Sequence, residues 1–470
     1  MSNLNRIKII TVFIVAIILL SASVVVWNSS YNQNLSNQET FYVGVTYCGD
    51  SVSEAKQLID KVKNYTNLFV IQSGSLQREP DKLNEICDYA VDSDLSFIIY
   101  FGSQHWNYRN NWLQTFDERW ADKFLGVYFG DELAGKMLDG DVSFWDSSTN
   151  GEIKKMANGS VSCYLPDKSV VTFQSNGDLL VTTHDFYEEG NSTFLNIIFA
   201  TFYPNGTISA KIQERNNPPI PMDNYTTTYS YEELLSNRPF QTCDETTDMF
   251  VDCHNSNLER GMYLNIDFTT FTSDYALYWF DYLCGYDVIL TQVGWNHTLE
   301  HDIALVRGAA NLQNKEWGAI ITWKYNNLPY LDTGEAILNQ LTTAYTTGAK
   351  YGIIFNYAQN MTGPYGTLQE EHFVALEQFW NDVLQNPELK QGSISSEAVL
   401  VLPNNYAWGM RKPEDTIWGL WEADEQSEQI WAWRNYLLQE YGLNLDIVYE
   451  DPEFPVEEKY DTVFYWNQTL

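Results

Sequence analysis

From residue 41 onward the chain repeats one pattern, a short run of apolar, β-branched or aromatic residues followed by a stretch with apolar residues at helical spacing. The runs are 41–47 (FYVGVTY), 67–73 (NLFVIQS), 96–102 (SFIIYFG), 125–131 (LGVYFGD), 261–268 (GMYLNIDF), 287–293 (DVILTQV), 317–324 (WGAIITWK) and 351–357 (YGIIFNY). Between them, Leu58, Ile59 and Val62 follow the first run. Tyr275, Leu277, Tyr278, Phe280 and Tyr282 follow the fifth, and Ile303, Leu305 and Val306 follow the sixth. Parallel strands need crossover connections, and eight such repeats are the raw material of a closed barrel. The expected fold class is α/β, a (β/α)8 TIM barrel; a doubly wound open sheet is the alternative reading of the same pattern.

The repeat is interrupted once and flanked twice, which divides the chain into five parts. Residues 1–40 read as a signal anchor and linker: Arg6 and Lys8 precede an apolar run from Ile9 to Trp27, and no further basic residue occurs before Lys56. That asymmetry places the N-terminus inside and the rest outside, so the expected location is the cell membrane with an extracellular C-terminal portion. Ser21-Ala22-Ser23 offers a cleavage site, in which case the protein is secreted. Residues 41–139 hold strands one to four and 259–392 strands five to eight. Between them, 140–258 carry alternating runs and the turn dipeptides Asn176-Gly177 and Asn205-Gly206, the signature of a β-rich insertion expected to cover the barrel mouth. Residues 393–470 read as a small α/β domain without a Gly-rich phosphate loop.

Side chains alternate along a strand, so each barrel strand has one face toward the axis. Taking the apolar set as helix-facing leaves Tyr128 and Glu132 of strand four pointing inward, with Tyr263, Asn265 and Asp267 of strand five. Glu132 and Asp267 are therefore the expected catalytic pair, and Asp131 a third candidate. Hydrolysis of a glycosidic bond uses one carboxyl to protonate the leaving oxygen and a second to attack the sugar or activate water. An Asp-Glu pair at a strand end also suits the plain role of capping the next helix. Aromatic residues gather after the strand ends, and flat rings stack on the C–H faces of sugars. The expected substrate-binding set is Tyr100, Trp106, Tyr128, Asn265, Gln292, Trp295, Trp323, Lys324, Tyr325 and Asn356.

These features together resemble an extracellular glycoside-hydrolase barrel followed by a flavodoxin-like appendage. Retaining glycosidases whose strand four closes on Asn-Glu carry a Glu nucleophile at the end of strand seven; here strand seven closes on Trp323-Lys324-Tyr325. Nearer is the α-amylase-like arrangement, with Asp closing strand four and Glu closing strand five. That likeness implies Asp131 as nucleophile, with Asp267 standing where a Glu is usual.

Charge and composition exclude other classes. With 27 basic against 62 acidic residues the formal charge is -35, which leaves no basic surface for nucleic acid. Six histidines without a His-X-His, and cysteines without zinc spacing, argue against a metal, and no cofactor motif is present. Cys243 and Cys253 are candidates for a short disulfide-closed loop. The expected function is a cell-surface or secreted carbohydrate-active hydrolase, its partners a glycan substrate and the membrane; a non-catalytic glycan-binding or cell-envelope protein is the alternative.

Overall fold

A computed structural model describes residues 40–468 apart from 103–104, 141, 147–150, 157, 190–191, 215–216, 260–267, 295–296 and 358–361. The segment 9–27 lies outside them; among the described residues no helix is long and apolar enough to cross a membrane.

Eight parallel strands close into a barrel: β1 (Tyr42–Tyr47), β2 (Leu68–Ile71), β3 (Ser96–Phe101), β4 (Phe124–Phe129), then β13 (Thr269–Asp274), β14 (Val288–Val293), β15 (Glu316–Ile321) and β16 (Tyr351–Ile354). β16 pairs back onto β1, with Tyr42 opposite Tyr351. The open-sheet alternative is thereby excluded. Helices α1 (Val52–Val62), α2 (Pro80–Asp92), α3 (Trp106–Leu113) and α4 (Leu133–Leu138) alternate with the first four strands. Leu68, Val70, Ile98, Tyr128, Phe271, Leu290, Ile320 and Ile353 fill the cylinder and are almost wholly buried. Closure brings backbones close: a Cβ at Gly126 of β4 would stand 2.0 Å from the carbonyl oxygen of Thr269 in β13.

Strand five is not where the sequence pattern put it. It runs 269–274 (TTFTSD) and starts after GMYLNIDF, most of which, Asn265 and Asp267 included, lies outside the described residues. The strand is built from threonine and serine, whose β-branched or small side chains suit a strand but register as polar in an apolar scan. Phe271 and Ser273 face the axis, and the acid closing the strand is Asp274.

The insertion is a meander, β5 (Ser143–Asp146), β6 (Gly151–Lys155), β7 (Val161–Tyr164), β8 (Val170–Phe173), β9 (Leu179–Glu189), β10 (Ser192–Phe202), β11 (Ile208–Glu214) and β12 (Ile220–Pro221), each beside the next in one eight-stranded sheet. Two helices return the chain to the barrel, α5 (Tyr231–Leu235) and α6 (Cys243–Glu259). Phe144 of β5 packs edge-on against Phe250 of α6, which meets Trp418. No described residue of the insertion lines the central cavity at the barrel mouth. Cys243 and Cys253 do not pair, because both lie on α6; ten positions along a helix are about 15 Å, and a disulfide requires Cα atoms within about 7 Å.

After β13 come α7 (Tyr278–Leu283), α8 (Leu299–Gln313), α9 (Gly334–Thr346) and α10 (Glu370–Gln378). The tail forms a three-stranded parallel sheet of β17 (Ala398–Leu402), β18 (Leu445–Tyr449) and β19 (Val463–Tyr465), with α11 (Glu425–Tyr441) preceding β18. A buried ion pair fixes it to the barrel. Arg307 of α8 meets Asp446 of β18 at 2.7 Å, and its remaining donors go to the carbonyls of Leu443 and Leu445. Asp446 also accepts from Tyr460 and Asn311, so the buried carboxylate is fully used. The loop before α11 grips α4 from behind through Arg411 to Asp139 and Thr416 to the Leu138 carbonyl.

Candidate active site

The C-terminal mouth of the barrel holds a half-enclosed cavity of about 290 Å³ lined by Gln72, Tyr128, Asp131, Glu132, Ser273, Gln292, Thr322, Trp323, Phe355 and Tyr357, with Ile320 as floor. Six of the eight strand ends contribute to it. Two carboxyl groups lie in it side by side, and their surroundings differ.

Asp131 follows β4. Its Oδ1 lies 2.6 Å from both the Tyr128 phenol oxygen and the Ser273 hydroxyl, which are themselves 2.6 Å apart. Burial is the largest influence on the Asp131 carboxyl, pushing its pKa up to about 6, and the neighbouring Glu132 adds to it. The hydrogen bonds from Ser273 and Tyr128 pull the other way and are outweighed.

Glu132 adopts a left-handed conformation, φ 57° and ψ 45°, which costs a non-glycine residue about 1–2 kcal/mol. The conformation is held by its own N–H, which donates to the Ser273 carbonyl at 2.7 Å. Glu132 occupies the N-cap position of α4, yet its side chain makes no capping bond. Asp274 performs that task from the neighbouring strand, accepting from the N–H groups of Ala134 and Gly135 at 2.8 and 2.9 Å and from Tyr275 and Ala276 of its own loop. The Glu132 side chain is thereby released from capping and lines the cavity. One oxygen accepts from the Gln292 amide at 3.0 Å and the other faces the Lys136 ammonium at 3.2 Å. Gln292 also donates to Ser273 at 2.9 Å, so Ser273 and Gln292 bridge the two acids. Asp274 is itself buried; desolvation lifts its pKa to about 7 against the pull of the backbone amides.

Of the expected site residues, the structure brings together Tyr128, Asp131, Glu132, Gln292 and Trp323. Tyr100 packs edge-on against Tyr128, 5.1 Å between ring centres, one layer below. Asp267, Asn265 and Trp295 lie outside the described residues, and Asp267 precedes the first residue of its strand rather than closing it. Four expectations are corrected. Lys324 turns away to Asp332 at 2.6 Å, and Tyr325 is exposed beside it, because β15 ends at Ile321 and both belong to the following loop. Trp106 opens α3 and lines neither mouth cavity. Asn356 leaves the central cavity because residues 351, 353 and 355 take the inward positions of strand eight; it lines a neighbouring one.

Sequence reasoning missed Gln72, Ser273, Phe355 and Asp274, whereas Thr322 lies on the inward face where strand alternation put it. Gln72 was within reach, since it continues the inward alternation of Leu68 and Val70. Its carboxamide oxygen is buried and has no partner among the described residues. Cys48, just past the end of β1, lines the neighbouring cavity, and burial pushes its thiol up to about 12, so it is no nucleophile at neutral pH. Among the described residues no three His, Cys, Asp or Glu gather as a metal would require.

No protein-family model matches the chain, and no curated protein matches it in sequence.

Proposed function

We propose that this barrel is a glycan hydrolase of the cell exterior, its chemistry carried by Asp131 and Glu132. The observation that supports this most is the contrast between two adjacent carboxyls: one whose burial favours its protonated form against the pull of two hydroxyls, the other accepting from an ammonium and an amide. Two roles for two acids follow from such a contrast. Asp131 gives its proton to the glycosidic oxygen as the C–O bond breaks. Glu132 takes a proton from the water that adds to the anomeric carbon, or bonds to that carbon first and is displaced by water. The Ser273–Gln292 bridge, with links of 2.6, 2.9 and 3.0 Å, keeps the two groups within the roughly 9.5 Å upper limit for such pairs. Trp323 and Tyr357 offer ring faces to the sugar. An export signal in residues 1–27 and the -35 charge fit an exterior location.

One observation favours a second reading. The Lys136 ion pair and the Gln292 bond occupy both Glu132 oxygens, which suits a glycan-binding barrel that does no chemistry. Incubating the full chain with a panel of cell-surface and plant polysaccharides separates the two. Hydrolysis that drops roughly 10²–10⁴-fold in Glu132→Gln supports the enzyme; binding without hydrolysis, unaltered by that change, supports the binding protein.

A further inference from the structure

Asp281 lies in the first turn of α7 and is fully buried. Both of its carboxyl oxygens are sealed from solvent, and neither has a hydrogen-bond partner among the described residues. An ionised carboxylate accepts and cannot donate, so a charged Asp281 would be buried with nothing to answer its charge. No cation among the described residues acts on it. The titratable groups that face it are Asp274 at the end of β13, Tyr278 and Tyr282 of its own helix, Cys284 just past that helix, and Tyr286 before β14. From the helices packed on α7 come Glu132 and Lys136 of α4, which act on Asp274, and Asp302 of α8, which acts on Tyr278. Lys136 is already paired with Glu132. Burial is the largest influence on Asp281 and drives it well above the usual carboxylate range, and the charge of Asp274 adds to this.

Asp274 is the acid within hydrogen-bonding reach of Asp281. The two are told apart by their partners. Asp274 accepts from four N–H groups, those of Ala134 and Gly135 at the start of α4 and those of Tyr275 and Ala276 in its own loop. These contacts take lone pairs on both of its oxygens, so a proton placed there would displace one of them. Asp281 meets no N–H or O–H donor, so a proton on it displaces nothing and gives Asp274 one donor more. The proton of the pair therefore belongs on Asp281. A Cβ at Gly135 would stand 2.5 Å from the Asp274 Oδ1, so the charged partner lies directly against the first turn of α4.

We infer that Asp281 is a positioning residue for Glu132: as a neutral acid it donates to Asp274, Asp274 holds the start of α4, and the Glu132 side chain is kept out of the capping role. Without that donor two carboxylates meet in a buried space, and repulsion drives Asp274 off the amides. Ala134 and Gly135 then need another acceptor. Glu132 already stands at the N-cap position, and its carboxylate turns back to them instead of lining the mouth. The inference concerns how Glu132 is held, and it stands whether the mouth cleaves a glycan or only binds one.

The test combines infrared spectroscopy with amide hydrogen exchange on the full chain. At pH 8, above the values of about 6 and about 7 for Asp131 and Asp274, wild type is expected to show the carbonyl band of a protonated carboxylic acid. That band should shift in deuterium oxide and be lost in Asp281→Asn. Asparagine keeps a donor toward Asp274, so the amides of Ala134 and Gly135 should exchange as they do in wild type. Asp281→Ala removes the donor, and the same two amides should lose about tenfold in protection, the scale of one hydrogen bond to a charged group, while those of α1 keep theirs. An absent acid band at pH 8, a band that survives Asp281→Asn, an alanine variant with protection intact, or an asparagine variant that loses as much as alanine overturns the assignment. If Asp281→Ala does not fold, the infrared band and the asparagine variant decide alone. Neither readout involves glycan cleavage, so the hydrolase reading and this one fail separately.

Discussion

Replacing Asp131 by asparagine should stabilise the protein at alkaline pH and leave it unchanged at acid pH. The carboxyl titrates near 6 when folded, with burial as the main cause, against about 3.9 in an unfolded chain. Between these values the folded state holds the extra proton, so stability falls as pH rises from roughly 4 through 6 and levels off above. Two pKa units correspond to about 3 kcal/mol, all of it lost by pH 8. Asparagine carries no charge and brings its own N–H donor to the Tyr128–Ser273 pair, so it avoids that loss. With an unfolding entropy of roughly 2.1 cal/mol/K per residue, the unit from Tyr42 to Leu470 shifts its Tm by about 1 °C per kcal/mol. Asp131→Asn should therefore melt about 3 °C above wild type at pH 8 and level with it at pH 4. Scanning fluorimetry across that range reads the difference. A variant that melts lower at pH 8, or a gap that does not change with pH, refutes the argument that Asp131 is held as the acid.

Other expectations follow from the same contacts. Asp274→Ala leaves the buried amides of Ala134 and Gly135 without an acceptor and should cost about 3–5 kcal/mol by denaturant titration, with asparagine recovering part of it. Arg307→Ala strands the buried Asp446 carboxylate and should cost a similar 3–5 kcal/mol or so, whereas removing an exposed partner, as in Lys56→Ala against Glu85, should cost no more than about 1 kcal/mol. Gly126→Ala should prevent closure of β4 on β13, read as loss of soluble, cooperatively melting protein. If Asp131 is the proton donor, the hydrolytic rate should fall as pH rises through about 6, and in Asp131→Asn that limb should disappear with the activity.

Seven of the eight barrel strands were legible within a few residues because each is an apolar run. The eighth was not, because TTFTSD is polar on paper and is buried by what surrounds it; the neighbouring GMYLNIDF has the stronger alternation. That displacement moved the expected second acid from its place. Strand alternation did identify Tyr128 and Glu132, and Gln292 by its position at a strand end. It failed for Lys324 and Asn356, since alternation ceases to apply where the strand stops. The division of labour around Glu132 was illegible in principle: that Asp274 caps α4 is a contact across 140 residues of chain, and the left-handed turn at Glu132 leaves no mark in composition. The bland reading of Asp131-Glu132 as a helix cap was chemically sound and is fulfilled by a different aspartate.

The most direct test of the central proposal is isotopic. Glycans that bind the full chain are incubated with it in 18O-water, and new reducing ends are read by mass spectrometry. One 18O per new end, absent with Asp131→Asn and with Glu132→Gln, is the expected result; a glycan that binds at the mouth yet acquires no label under any pH from 4 to 8 contradicts it.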